Sequence, residues 1–392
     1  MKIKGIVEGA LRNVFALGLV SFFTDVSSEM VFSLLPAFIL GLPNSSRAAL
    51  GLIEGVAEAL SYSMRAVSGL FSDKFRKRKI IVFIGYTLSN IVKPFFAVAQ
   101  TVNDAFIIRV TERIGKAIRT SPRDALLSES VTREHRGLAF GIHRTLDQTG
   151  AILGPVLASM ALLFWGLSIG DVFVLSFIPG SIALLVLLFF VQERRRHSMV
   201  ALRLLPGIHQ VLNGPFLRLL LIVSVFSIGA FNFSFILLNA HEAGVTDAFL
   251  PIIYALVNVT HTVIAIPIGV VSDQIGKERG LVIGYGSFVA TSLSILLLPH
   301  SVNSAIAVAL AYGLYLGIVE TVQRALIPEY TQDALRGTAY GIYYLVVGSA
   351  FFIANFIVGV LWEFFGSSTA IFFSLTTSSI ALIGMIVFIR LK

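Results

Sequence analysis

Apolar residues in this chain neither alternate with polar ones nor recur in narrow stripes. They run in blocks of about 20 residues, the length a helix needs to cross a hydrocarbon layer about 30 Å thick, separated by short charged or turn-rich breaks. The pattern predicts twelve helices. Six lie at roughly 11–40, 48–72, 79–100, 103–127, 136–164 and 169–191, and six at roughly 216–239, 247–272, 280–298, 303–326, 337–362 and 368–390. Between the sets, QERRRHSMVALRLLPGIHQVLNGP is basic and poorly periodic. It reads as a linker over 192–215, which sets the domains at 1–191 and 216–392. The lack of period-2 alternation excludes a lipid-facing β-barrel and leaves a helical bundle.

Composition sharpens this to an all-α integral membrane protein. Of the 392 residues 56% are hydrophobic and 13% charged, and the mean hydropathy is +0.86; a soluble domain carries about 25% charged residues. There is no cysteine, which excludes disulfides, thiolate metal sites and cysteine nucleophiles. The N-terminal MKIKGIVEGALRNVFALGLVSFF runs on through Asp25 and Glu29 without a small-residue cleavage site, so it reads as a retained first helix.

The net charge of +8 matters less than its placement. Lys74 to Lys79, Arg119, Arg123, Arg133, Arg136, the linker arginines, Lys277, Arg279 and Arg336 all fall on one side of the twelve-helix path, and Arg47 stands alone among acidic loops on the other. Positive loops stay in the cytoplasm. The reading is a multi-pass protein of the cytoplasmic membrane with both termini inside, set in lipid and with no nucleic-acid partner.

The halves repeat. GLFSDKFRKRK at 69–79 returns as GVVSDQIGKER at 269–279, and RGLAFGI at 136–142 returns as RGTAYGI at 336–342, both offset by 200 residues. A parallel duplication of six helices accounts for both. With these features the chain resembles the major facilitator superfamily of secondary transporters, along its whole length. The superfamily's loop 2–3 motif, Gly-x-x-x-Asp-Arg/Lys-x-Gly-Arg-Arg/Lys, is matched by Gly69, Asp73, Lys74, Lys77 and Arg78, with Arg76 in place of a glycine. The second copy keeps Gly269, Asp273, Gly276 and Lys277, with Gln274 replacing the basic residue. FIIRVTERIGKAIR resembles the fourth-helix pattern Arg-x-x-Gln-Gly-x-Gly, with Arg109 and Gly115 matching, Glu112 at the Gln position and Arg113 at the first Gly. GAILGPVLA resembles the fifth-helix antiporter pattern, with Gly150, Gly154 and Pro155 matching and Ala158 at the last Gly.

The resemblance implies two pseudo-symmetric six-helix bundles rocking about a central site, a monomer that moves a small molecule without a cofactor, and, from the fifth-helix pattern, export in exchange for protons. Gly69 and Gly269 would let helices approach closely. Asp73 and Asp273 would accept hydrogen bonds from a neighbouring helix terminus or an arginine and so latch one conformation. Gly-x-x-x-Gly is also a general close-packing device, which is the plainer reading of Gly150 and Gly154.

Charge inside spanning segments is costly and marks candidate sites. Most of it lies in the first half: Asp25 and Glu29, Glu54 and Glu58, Arg65, Lys93, Arg109, Glu112, Arg113, His143, Arg144 and Asp147. Asp25 and Glu29, like Glu54 and Glu58, sit four apart on one helix face, about 6 Å from each other. Carboxylates that close are natural proton carriers. Arg109 and Arg113 share a face and suit a carboxylate or an anionic substrate; the plain alternative is a structural ion pair. His143, four before Asp147, suits a proton relay or an ordinary buried hydrogen bond, while Arg144 should point elsewhere. Arg65 and Lys93 read as counter-ions or snorkelling residues. The second half offers His261, Glu320 and Arg324, and Phe226, Phe231, Phe233 and Phe235 either pack its seventh helix or line a cavity.

The function class is therefore a proton-coupled carrier of an organic, amphipathic solute, with uptake of an organic anion by symport as the rival. A membrane enzyme is disfavoured because HExxH and a phosphate-cradling glycine loop are missing.

Overall fold

The computed structural model describes residues 2–75, 78–132, 135–193, 208–212, 214–332 and 335–391, with side chains described outside 2–11, 65–75, 136 and 208. The described residues form helices α1 (Lys2–Phe32), α2 (Leu35–Gly41), α3 (Arg47–Phe75), α4 (Arg78–Val92), α5 (Val102–Ser130), α6 (Arg136–Trp165), α7 (Ile169–Leu175), α8 (Phe177–Phe190), α9 (Ile208–Val211), α10 (Gly214–Gly229), α11 (Phe233–Glu242), α12 (Leu250–Ile275), α13 (Lys277–Leu297), α14 (Val302–Leu326), α15 (Arg336–Phe365) and α16 (Ser367–Arg390). Ten stretches among them are long and apolar enough to cross a membrane. Helices α3 and α5 have the length, 29 residues each, but carry more charge.

All twelve expected helices are present, and four of them are interrupted. Proline accounts for three interruptions: its ring has no N–H and clashes with the carbonyl four residues back. Pro36 lies just beyond the break between α1 and α2, Pro94 opens a 3₁₀ turn at Lys93–Val98 after α4, and Pro179 follows the break between α7 and α8. The fourth interruption, at 230–232 between α10 and α11, has no proline. There the Asn355 side chain accepts from the Asn232 N–H at 2.8 Å, the Tyr312 hydroxyl donates to the Phe231 carbonyl at 2.7 Å, and Asn232 accepts from the Ser234 N–H at 2.9 Å. Unwound backbone at membrane depth survives only where such groups replace the lost ladder.

The chain falls into two compact units, Met1–Phe38 with Leu60–Ala201, and Ile39–Ala59 with Leu202–Lys392. In the first, α1 packs on α6 and α8, and α4 on α5. Glycines set these approaches: a Cβ on Gly154 would lie 2.6 Å from the Val26 carbonyl oxygen, and one on Gly115 2.9 Å from the Gly85 carbonyl oxygen. Val14, Leu17, Val20, Val82, Leu127 and Leu187 fill the space beside them.

In the second unit α14 packs on α12 and α13, and α16 on α10, α13 and α15. Its core is aromatic: Phe226 stacks on Tyr285 at 3.7 Å, and Phe231, Phe288, Tyr312 and Tyr315 close around them. Phe226, Phe231 and Phe235 are fully buried, so the seventh-helix phenylalanines pack helices and the cavity-lining reading fails for these three. Phe233, half-buried, stacks on Tyr254 at 4.4 Å. The start of α3 belongs to this unit, where Gly51 and Gly55 press against Asn355 and Phe352 of α15. Ile266 is 79% exposed and Phe164 75%, the apolar outer surface that lipid requires.

Candidate functional site

In the first unit the small residues between α1 and α6 bring the two helices close, and polar groups gather at that seam. Gly150 faces the Phe22 carbonyl and Gly154 faces Val26 and the Cβ of Glu29, so the fifth-helix glycines work as close-packing positions. Pro155 is buried within α6. Asp147, which precedes these glycines on α6, accepts from the Ser21 hydroxyl at 2.5 Å and from the Arg144 guanidinium at 3.0 Å. The Asp25 carboxyl of α1 lies across the seam from it, within electrostatic reach.

Asp147 thus joins Asp25 and Glu29, the pair to which the i, i+4 spacing had pointed. One expectation is corrected. Arg144, expected to point away, is the ion-pair partner of Asp147. His143 is buried on α6 and its Nε2 has no hydrogen-bond partner.

On α5 the charges line one face. Glu112 lies 3.3 Å from Arg109 and 3.9 Å from Arg113, and accepts from the Ser89 hydroxyl at 3.3 Å. Arg109 and Glu112 are fully buried and Arg113 nearly so. Both arginines also cover the Phe32 ring of α1, at 4.0 and 5.3 Å from its centre, contacts of the cation–π kind. Arg113 therefore replaces the glycine of the fourth-helix pattern without pushing the helices apart, since its head sits over a ring and beside a carboxylate. One turn further, Lys116 stands among Asp25, Glu29, Glu112 and Arg113, and Arg119 lies 4.2 Å over Tyr86. Glu29 is buried beside Gly154.

Lys93 does not snorkel. It is fully buried, and its ammonium donates to the hydroxyls of Ser27 and Ser28 on α1. Sequence reasoning missed Lys116, Arg119, Phe32 and the three α1 serines. The 3–4 residue spacing of Arg109, Arg113, Lys116 and Arg119 was a usable signal; the serines gave none, because an isolated serine in an apolar helix is common.

Glu54 and Glu58 belong to the other unit, Glu54 fully buried and Glu58 half-buried on α3. Arg65, Gly69, Asp73 and Lys74 lie in the part of α3 whose side chains are outside the described ones. Their second copy is described. A Cβ on Gly269 would meet only the Thr321 methyl, at 3.9 Å, so no close approach is made there. Asp273 is 71% exposed and meets Lys277 of the following helix at 3.5 Å. The longer-range contact is made by Lys277, which also bonds Glu329. Glu129, offset by 200 residues from Glu329, pairs with Arg78 in the same way.

A duplicated helical protein with apolar outer walls and buried, mutually paired charge has the features of a solute carrier. The sequence agrees: residues 17–355 match the model of the Major Facilitator Superfamily, and the chain belongs to that family of membrane transporters. An uncharacterized MFS-type transporter of Methanocaldococcus jannaschii is 34% identical, over 90% of this chain and 89% of that one. The multidrug resistance protein MdtG of Dickeya zeae is 28% identical over 69% of this chain and 68% of its own. Among solved structures, the nucleoside transporter NupG superposes with a TM-score of 0.78, covering 96% of this chain and 98% of that one at 14% identity, a likeness of fold alone.

Proposed function

We propose that this protein carries a small organic solute by proton-coupled alternating access, and that the Asp25–Asp147 pair is its proton site. The observation that carries the reading is the close α1–α6 seam at Gly150 and Gly154, where Asp147 takes the Ser21 hydroxyl and the Arg144 guanidinium and Asp25 stands within electrostatic reach. A proton bound at this seam would tie α1 to α6, and its departure would leave two like charges facing each other and bias the seam to open. Arg144 and Ser21 steady Asp147 in either state, and Lys116 stands near enough to answer a charge on Asp25.

Export in exchange for protons is the favoured direction, supported by the fifth-helix pattern of Gly150, Gly154 and Pro155 and by the likeness to MdtG. A rival reading, uptake of an organic anion, rests on the basic face of Arg109, Arg113, Lys116 and Arg119. In both, the halves 1–191 and 216–392 work as a monomer joined by the 192–215 linker, and Asp73 and Asp273 take part in switching.

Protein purified into liposomes under an imposed pH gradient tests this against matched organic acids, amines and neutral solutes, with proton flux recorded. Asp25→Asn and Asp147→Asn should each abolish gradient-driven transport while leaving solute exchange across the membrane intact. Transport with unchanged pH dependence in both variants would remove the pair from the mechanism. Proton-driven movement of acids into the compartment the protein normally faces would select the anion reading.

A further inference from the structure

The second unit holds a polar cluster that this proton site leaves unused. Gly313 and Gly317 of α14 face the backbone of α12; a Cβ on Gly317 would lie 2.5 Å from the His261 carbonyl oxygen. That close crossing sets His261 beside Glu320, with Nε2 3.7 Å from Oε2. Glu320 also takes the Arg324 guanidinium at 3.3 Å, and Arg324 Nε donates to the Glu320 carbonyl at 2.8 Å. The Tyr340 hydroxyl of α15 donates to the Arg324 carbonyl at 3.1 Å.

The depth of this cluster gives it meaning. His261 lies eleven residues from Leu250 and fourteen from Ile275 in the span Leu250–Ile275, roughly 17 and 21 Å from its ends at 1.5 Å per residue. The Glu320 and Arg324 side chains are nevertheless 43% and 45% exposed. Glu320 lies ten residues from Tyr330 in the span Val302–Tyr330, about 15 Å from that end, where a carboxylate facing hydrocarbon costs about 3 kcal/mol; Arg324 lies nearer the end of the same span. The lipid face of α12 is elsewhere: Val263 and Ile266, 67% and 79% exposed, lie about 140–200° around the helix from His261. The exposed side of Glu320 and Arg324 therefore meets water.

We infer that His261, Glu320 and Arg324 form a second proton-binding site, in the C-terminal bundle, open to water and separate from the Asp25–Asp147 pair. His261 Nε2 accepts the proton and turns it toward Glu320, whose charge Arg324 holds in place; the ligand is a proton from the aqueous face. The other titratable groups on α12, α14 and α15 are Tyr254, Asp273, Tyr312, Tyr315, Arg336, Tyr340, Tyr343, Tyr344 and Glu363; on α11 and α13 they are His241, Glu242, Lys277, Glu278, Arg279 and Tyr285, which Gln323 bonds at 3.4 Å. The inference goes with the proposed proton coupling but has its own readout.

That readout is the rate at which diethyl pyrocarbonate modifies His261, followed by peptide mass spectrometry on protein in nanodiscs between about pH 5 and 8, since only neutral imidazole reacts. His300, exposed, and His143, buried, are the internal controls. The expected result is modification of His261 with a pH midpoint that moves by about one unit in Glu320→Gln, returns toward the starting value in Glu320→Asp, and is unchanged in Asp25→Asn. Resistance of His261 while His300 reacts would overturn the inference, as would a midpoint indifferent to Glu320→Gln or displaced by Asp25→Asn. Loss of gradient-driven transport in Asp25→Asn is a separate result and bears on the other site alone.

Discussion

Two glycines decide how near α1 and α6 can come. The seam that carries Asp25 and Asp147 depends on Gly150 and Gly154 having no side chain, because the opposing atoms are backbone carbonyls that cannot move aside. Gly154→Leu should lower stability by about 1–3 kcal/mol, the cost of overpacking, read as a drop in melting temperature in detergent. Gly141→Ala, at an exposed helical glycine with nothing within 4 Å of a new Cβ, should be neutral or stabilising by up to about 1 kcal/mol. Equal effects of the two would show that the glycines are replaceable. At the same scale Arg113 shows how a pattern's glycine can become a charged residue: Phe32 and Glu112 together take up its head.

At the scale of the element, the interrupted seventh helix is held open by side chains from its neighbours. Asn355 is fully buried in α15, and its amide bridges the Asn232 N–H and the Phe351 carbonyl. Asn355→Ala would leave a buried N–H without a partner, at a cost of about 1–3 kcal/mol. Faster hydrogen exchange confined to residues near 230–232 is the measurement that checks it; uniform loss of protection along α15 would argue for general unfolding. The charged start of α3 is held comparably. Arg47 donates to Glu242 at 2.8 and 2.9 Å through its guanidinium and to Glu363 at 2.8 Å through its backbone N–H, and the Trp362 indole donates to Glu242 at 3.2 Å. The arginine that stood alone in the loop-charge pattern is thus a structural clamp.

Over the whole molecule, the loop charges make a prediction about sidedness that needs no substrate. The chain has no cysteine, so a single one reports its own exposure. In intact cells a membrane-impermeant maleimide should label His300→Cys and should reach Gln332→Cys only after permeabilisation, because the basic loops stay inside. Labelling in the reverse order would invert the orientation and, with it, the sense of export.

The sequence by itself determined the number and order of the helices, the duplication and the family, because each rests on local properties: apolar length, loop charge and an offset of 200 residues that is visible without coordinates. It also placed most of the charge in the first half, since burial in lipid makes every ionisable residue conspicuous. Tertiary structure alone decided which charge meets which. Asp25 and Glu29 share a helix face, and the helix crossing at Gly150 and Gly154 sets Asp147, 122 residues away in sequence, across from Asp25. Lys93 is buried on serine hydroxyls, and His261 meets Glu320 and Arg324, for the same reason. A residue's type and spacing state what it can do, and the approach of a second helix determines what it does.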